Sequence, residues 1–264
     1  MKVFIASFNR ASDGALETLR KKMESECMAS DDYVTADWIL AVGDRSETFD
    51  FVIERFRENR PIAHLWAGEV SQGTHDEVYR HAMTLISKVQ FCTNERAKER
   101  VELLCHSVDK QPDAHVVGNV MLDDLSADES LVPSEPYNLI LYNPPTSESV
   151  EDIERELTEI KGIIRNDKKR YIWIAPNGDP GSDLIFPHVN TDNLPRKQFL
   201  GLLKNCHLYI TNSSSQYYEA PFLMNKDQIV SIGQRNTSRE SGRTDMTLRG
   251  AAEKIISLFK SMSE

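Results

Sequence analysis

The chain has 264 residues, 40% of them hydrophobic, enough for one large domain or two ordinary ones with real cores. Its formal net charge of −10 weighs against a broad non-specific nucleic-acid surface, which needs clustered Lys and Arg, although a local basic groove is compatible with it. No apolar run is long enough to span a bilayer, "MKVFIASFNR" lacks the features of a signal peptide, and Cys27, Cys92, Cys105 and Cys206 form no CxxC pair, so a cytoplasmic protein with buried thiols, no zinc site and no disulfide framework is expected.

Short apolar runs follow one another along the chain: "KVFIA" (2–6), "WILAV" (38–42), "PIAHL" (61–65), "QFC" (90–92), "HVVG" (115–118), "NLILY" (138–142), "RYIWIA" (170–175), "HLYIT" (207–211) and "QIVSI" (228–232). Runs of this kind fit strands buried on both faces. Amphipathic stretches separate them. In 147–166, Val150, Ile153, Leu157, Ile160 and Ile164 keep helical spacing after "TSES", which predicts a capped helix with one core-facing stripe. The alternation predicts βαβ units and parallel sheets, an α/β fold. The polar, proline-bearing stretch 126–138 reads as a linker, giving one Rossmann-like domain over 1–130 and a second over 137–264. Ligands of such sheets sit beyond the carboxyl ends of the strands, so a cleft between the two domains is the expected site.

In "LYITNSSSQYYEAP" (208–221) a strand runs into three serines and then toward a helical stretch. Backbone N–H groups at a helix start, joined by the hydroxyls of Ser213, Ser214 and Ser215, make a neutral cradle for a diphosphate. Glu219, one turn on, is placed to accept hydrogen bonds from ribose hydroxyls. The plainer alternative is N-capping, for which one serine suffices. Arg235, Arg239 and Arg243 recur at four-residue spacing, either as phosphate ligands or as an exposed charged loop.

"NSSSQYYEAP" resembles the Ser-rich, Glu-Ala-Pro block of the UDP-N-acetylglucosamine 2-epimerases, particularly their hydrolysing branch. Further blocks resemble that family in the same order: "SFNRASDG" (7–14) with Arg10 in register, "VGDRSE" (42–47), "IAHLWAGEVSQGTHDEVYRHA" (62–82) with Arg80 and His81 in register, "VVGNVMLDDL" (116–125), "APNGDPGS" (175–182) and "SIGQRNTSRESG" (231–242). The resemblance implies two Rossmann-like domains facing across a cleft in a GT-B-like arrangement, a last helix crossing back to the first domain, and a homodimer. Only about 33 residues separate Arg10 from Asp44, so the N-terminal domain is shortened relative to the family. The nucleotide-gripping positions Asn177, Ser182, the serine triplet and Glu219 are retained.

Two reacting positions depart from the family pattern. A glutamate after His-Ile corresponds to Trp66, and the histidine of a His-Pro motif corresponds to Asn143, neither of which can take the lost role in proton transfer. The family reaction removes a proton from sugar carbon 2 and expels UDP, which calls for such groups. Retained nucleotide contacts with altered chemistry suggest a glycosyltransferase that uses a UDP-sugar as substrate, without metal or other cofactor, with Asp44, Asp76 or Glu77 as base and Arg235 and helix N-termini at the departing diphosphate. Its acceptor would be a small molecule, a protein or a hydroxylated nucleic-acid base, as in phage-type DNA modification. Two alternatives stand beside it: a divergent hydrolysing 2-epimerase using Asp44, Asp76 and Glu69 or Glu77, and a non-catalytic nucleotide-sugar binder. Asp76 can equally be a helix cap, and Trp66 either packs in the core or stacks on a sugar or base.

Overall fold

The computed structural model describes residues 1–8, 13–71, 75–146, 148–237 and 249–263. Arg10, Arg239 and Arg243 lie outside the described residues. Contacts divide the chain into two compact units, the first built from Met1–Glu69, Asp76–Asp124 and the carboxyl-terminal helix, the second chiefly from residues 125–237.

The first unit runs β1 (Val3–Ala6), α1 (Asp13–Ser25), β2 (Ala29–Ser30), β3 (Trp38–Val42), α2 (Ser46–Arg57), β4 (Ile62–Leu65), α3 (Asp76–Ile86), β5 (Val89–Cys92), α4 (Glu95–His106) and β6 (Ala114–Val116). Its strands pair in parallel in the order β2-β1-β3-β4-β5-β6. Every residue of β4 and β5 is buried, as required of strands covered on both faces. The two-residue β2 has no apolar run to announce it in the sequence.

The second unit runs β7 (Tyr137–Leu141), α5 (Val150–Asp167), β8 (Arg170–Trp173), α6 (Arg196–Asn205), β9 (Leu208–Thr211), α7 (Ser215–Tyr218), α8 (Ala220–Leu223) and β10 (Ile229–Ser231). Its parallel sheet has the order β10-β9-β7-β8, so the winding reverses at the β7/β9 boundary. Two clusters cover its two faces, one around Tyr137, Leu139, Leu203 and Tyr209, the other around Ile140, Trp173, Ile210 and the α5 stripe Ile153, Leu157 and Ile160. A capping box between Ser149 and Asp152 starts α5, and Lys168 in left-handed conformation ends it. Val150 is 53% exposed, so the buried stripe begins one position later than the spacing suggested.

The segment 126–138 packs against this second unit. Leu125, Ala127 and Val132 lie on the cluster around Leu203, and the Asp128 carbonyl sits so close to Gly201 that a Cβ there would come within 2.0 Å of it. The helix expected from "SQYYEAPFL" is two single turns, α7 and α8. Pro221 supplies no N–H, and the chain re-enters helix only with that proline in its first turn.

The last helix, α9 (Ala251–Ser261), belongs to the first unit. Ala251, Ala252, Ile255, Ile256 and Phe259 pack with Val3, Leu16, Leu19, Met23 and Leu40, and Phe259 meets Trp38 and Phe91 edge-on. The Asp123 carboxylate accepts from the N–H groups of Gly250 (2.7 Å), Ala251 (3.1 Å) and Ala252 (2.8 Å). An anion thus closes the positive end of the helix and ties it to the chain leaving β6. No helix among the described residues is long and apolar enough to cross a membrane. Asp123→Ala is expected to lower stability by about 2 kcal/mol, the upper range for loss of a helix cap, as a fall in the urea midpoint.

Candidate functional site

In the first unit the chain leaves β3 through Gly43, whose φ of 77° turns it sharply, and presents Asp44, which is 5% exposed. Glu77, Arg80 and His81 share one face of α3 because they stand three and four residues apart. Arg80 is 1% exposed and donates to the Asp44 carboxylate, to Glu77 Oε2 at 2.7 Å and to the Glu69 carbonyl at 3.0 Å. The other oxygen of Glu77 lies 2.9 Å from His81 Nε2. Asp76 opens α3 and is partly buried. Glu69 is buried and accepts from the Thr93 hydroxyl.

Beneath this cluster lies His64 on β4, fully buried. Burial pushes its imidazole down to about 4, so the ring is neutral: Nε2–H donates to the Gly43 carbonyl at 2.8 Å, and Nδ1 accepts from the Thr84 hydroxyl at 3.0 Å. Trp66 follows β4 with φ at 67°, a left-handed conformation that is costly for a bulky side chain. Its ring lies against Gly43, its Nε1–H donates to Asn119 Oδ1 at 3.2 Å, and part of it packs on the core.

In the second unit the polar residues gather at the carboxyl ends of the strands. At the β7/β9 reversal, Asn143 N–H donates to Asn212 Oδ1 (2.9 Å) and Asn212 Nδ2 returns a bond to the Asn143 carbonyl (2.7 Å). Asn143 Oδ1 accepts from Asn177 N–H (2.9 Å), and Asn177 Nδ2 donates to Asp179 (2.5 Å). Arg235, 7% exposed, donates to the Pro144 carbonyl at 2.8 Å and stands 3.6 Å from Asp179, while Ser182 N–H bonds back to the Asp179 carbonyl. Asn236, at φ 65°, reaches the Asn212 carbonyl (3.0 Å).

The serine turn follows β9. Ser213 N–H donates to Thr211 Oγ1 (2.9 Å), Ser215 Oγ donates to Ser213 Oγ (3.1 Å), and Tyr209 OH stands 2.5 Å from Ser215 Oγ. Ser214 opens α7 without a side-chain capping bond and is partly exposed. Glu219, 3% exposed, pairs with Arg196 at 3.2 Å, while its Oε2 is buried without a hydrogen-bond partner. Burial raises the Glu219 carboxyl above its ordinary value and Arg196 opposes this. An unpaired buried carboxylate oxygen is costly.

The first unit therefore gathers Asp44, Asp76, Glu77, Arg80 and His81, and the second gathers Asn143, Asn177, Ser182, the serine triplet, Glu219 and Arg235. Sequence reasoning missed Arg196, Tyr209, Asn212 and Asn236 as supports. Asn212, immediately before the triplet, stood in plain view; Arg196 had no local signal, because it meets Glu219 only through the packing of α6. Among the described residues no group of three His, Cys, Asp or Glu is placed to hold a metal ion.

A family model described as UDP-N-acetylglucosamine 2-epimerase matches residues 8–264. The UDP-N,N'-diacetylbacillosamine 2-epimerase (hydrolyzing) of Legionella pneumophila is 29% identical over 228 residues, covering 78% of this chain and 58% of that protein. The polysialic acid biosynthesis protein P7 of Escherichia coli is 28% identical over 236 residues, covering 79% of this chain and 57% of that protein. The chain thus spans less than three fifths of the length of these relatives. The fold matches the crystal structure of Methanocaldococcus jannaschii UDP-GlcNAc 2-epimerase in complex with UDP-GlcNAc and UDP, with a TM-score of 0.62 at 15% identity over 97% of this chain and 83% of that one. These findings overturn the glycosyltransferase expectation: the family model and the Legionella relative are 2-epimerases.

Because His64 is neutral in the fold and binds a proton in the unfolded chain below about 6.5, its contribution to stability is complete above that pH and is lost as pH falls toward about 4. Across this window the wild type is expected to lose about 3 kcal/mol more than His64→Gln, as read by urea unfolding at a series of pH values.

Proposed function

Because the chain belongs to the UDP-N-acetylglucosamine 2-epimerase family, we propose that it binds a UDP-linked 2-acetamido sugar and acts on it as a divergent hydrolysing 2-epimerase. In this reading a base removes the proton on sugar carbon 2 as the bond from carbon 1 to UDP breaks. Water then adds, its hydroxyl to carbon 1 and a proton to the opposite face of carbon 2, so that the free epimeric sugar and UDP are the products. The second unit supplies the nucleotide grip.

The observation that carries the reading is Glu219, buried with one carboxylate oxygen lacking a hydrogen-bond partner, one turn after the serine triplet. That oxygen suits a ribose hydroxyl, while the turn and Arg235 suit the diphosphate. The names of the Legionella relative and of the Methanocaldococcus structure support the substrate class. In the first unit, Asp44 and Glu77 both accept from the buried Arg80, and Glu77 also faces His81.

A second reading, a nucleotide-sugar binder without turnover, is favoured by Trp66 and Asn143, which stand where the family resemblance places a carboxylate and a histidine. Incubation with UDP-N-acetylglucosamine in deuterated water separates the two. Epimerase action is expected to release UDP together with N-acetylmannosamine carrying deuterium at carbon 2. Intact substrate after long incubation at high enzyme, with UDP still raising the melting temperature, would leave the binder in its place.

Under either reading, Glu219→Gln is expected to weaken UDP binding about tenfold or more, as measured by calorimetry, since it replaces a charged acceptor. The paired change Trp66→Glu with Asn143→His is expected to raise the rate of UDP release above wild type.

A further inference from the structure

Resting on the nucleotide grip proposed above, we infer that Tyr209 is a positioning residue for the diphosphate: through Ser215 it fixes the direction of a row of hydroxyl protons, so that the Ser213 O–H is left to donate to a ligand oxygen. The row lies wholly within the second unit, starting in its core and ending at a partly exposed residue. Tyr209, on β9, has none of its surface exposed and sets its ring edge-on to Phe199. Its OH stands 2.5 Å from Ser215 Oγ, and Ser215 Oγ donates to Ser213 Oγ at 3.1 Å. Ser215 is buried, whereas Ser213 is partly exposed.

Each hydroxyl carries one proton, so the protons of such a row all run one way or all run the other. The buried end decides which. A phenol is more acidic than an alcohol and is the better donor of such a pair, and a buried O–H must find an acceptor. The reverse order would leave the phenolic proton to Thr211 Oγ1, the other hydroxyl beside Tyr209, which already receives the Ser213 N–H at 2.9 Å and gives its own proton to the Leu141 carbonyl at 2.6 Å. Tyr209 therefore donates to Ser215, and Ser215 donates to Ser213, whose Oγ also faces the Ser215 N–H at 3.4 Å. With two donors directed at it, Ser213 Oγ has no acceptor for its own proton among the described residues. A serine hydroxyl that could accept or donate is thus confined to donating, the role that a negatively charged diphosphate oxygen demands.

The test is a double-mutant cycle read by calorimetry with UDP. Ser213→Ala is expected to weaken binding about tenfold or more, as the loss of a donor to a charged group. Tyr209→Phe keeps the ring and removes only the hydroxyl, so the Ser213 donor remains while its direction and polarisation are lost, and a loss of about threefold is expected. In the Ser213→Ala background, Tyr209→Phe is expected to change UDP affinity by less than about 1.5-fold, while shifting the urea midpoint by the same amount in both backgrounds. A role in packing alone would carry the loss of affinity into both. Should Tyr209→Phe not fold, Ser215→Ala cuts the row in its middle and is read in its place with the same expectation. Wild-type affinity in Tyr209→Phe, or equal losses with and without the Ser213 hydroxyl, would overturn the inference and leave the nucleotide grip standing, as would wild-type affinity in Ser213→Ala. A wild type that does not bind UDP would overturn the grip and this inference with it.

Discussion

A guanidinium with almost no access to water organises the first unit. Arg80 can remain charged in that position only if its donors meet acceptors of opposite sign or good geometry, and removing one partner of such a pair exposes the other to an uncompensated desolvation cost. Its acceptors come from three separate stretches: Asp44 after β3, the Glu69 carbonyl beyond β4, and Glu77 one turn earlier on α3. One side chain thus sets where two loops and a helix meet. The neutral His64 underneath completes the arrangement by holding the Gly43 carbonyl, so the turn that presents Asp44 is braced from below. Asp44, a carboxylate that looks catalytic from the family resemblance, is thus also structural.

The second unit answers a different demand, that of a neutral, hydrogen-bonding floor at the point where a parallel sheet reverses its winding. Such a point opens a gap between adjacent strand ends, and ligands of α/β proteins gather there. The gap is lined by amides: Asn143 and Asn212 exchange bonds across it, and Asn177 and Asn236 fasten the neighbouring loops to them. Amides are suited to this task because each carries both donors and acceptors and none adds net charge. The asparagine at 143 therefore has a structural use of its own. Charge enters through Arg235 paired with Asp179 and through Glu219 paired with Arg196, and Glu219 keeps one buried oxygen without a hydrogen-bond partner.

The fold class was legible in the sequence because burial on both faces leaves a mark that survives without any structure: short, uninterrupted runs such as "WILAV" and "LYIT", spaced by amphipathic stretches. The ordered blocks of resemblance reached the family for a similar reason, since strand ends and phosphate turns tolerate few residue types. Function was harder to read. Trp66 and Asn143 argued for new chemistry when each was taken alone, yet the whole length from residue 8 onward matches a 2-epimerase family. Two side chains weigh heavily in a mechanism and lightly in an ancestry.

What the sequence determined by itself was therefore local or periodic: the buried strands, the capped α5, the serine turn after β9, and the acids and arginine clustered at 76–80. What only the tertiary structure decided were the meetings between distant positions. Asp123 receives the start of α9 from more than a hundred residues away, Arg196 finds Glu219 across α6, and Asp128 lies on Gly201 so that an apparent linker becomes packed chain. The division has a plain physical cause. Backbone geometry and hydrophobic period act between neighbours and are written in order along the chain, whereas an ion pair or a helix cap between residues far apart in the chain depends on a distance in space, which no spacing in sequence encodes.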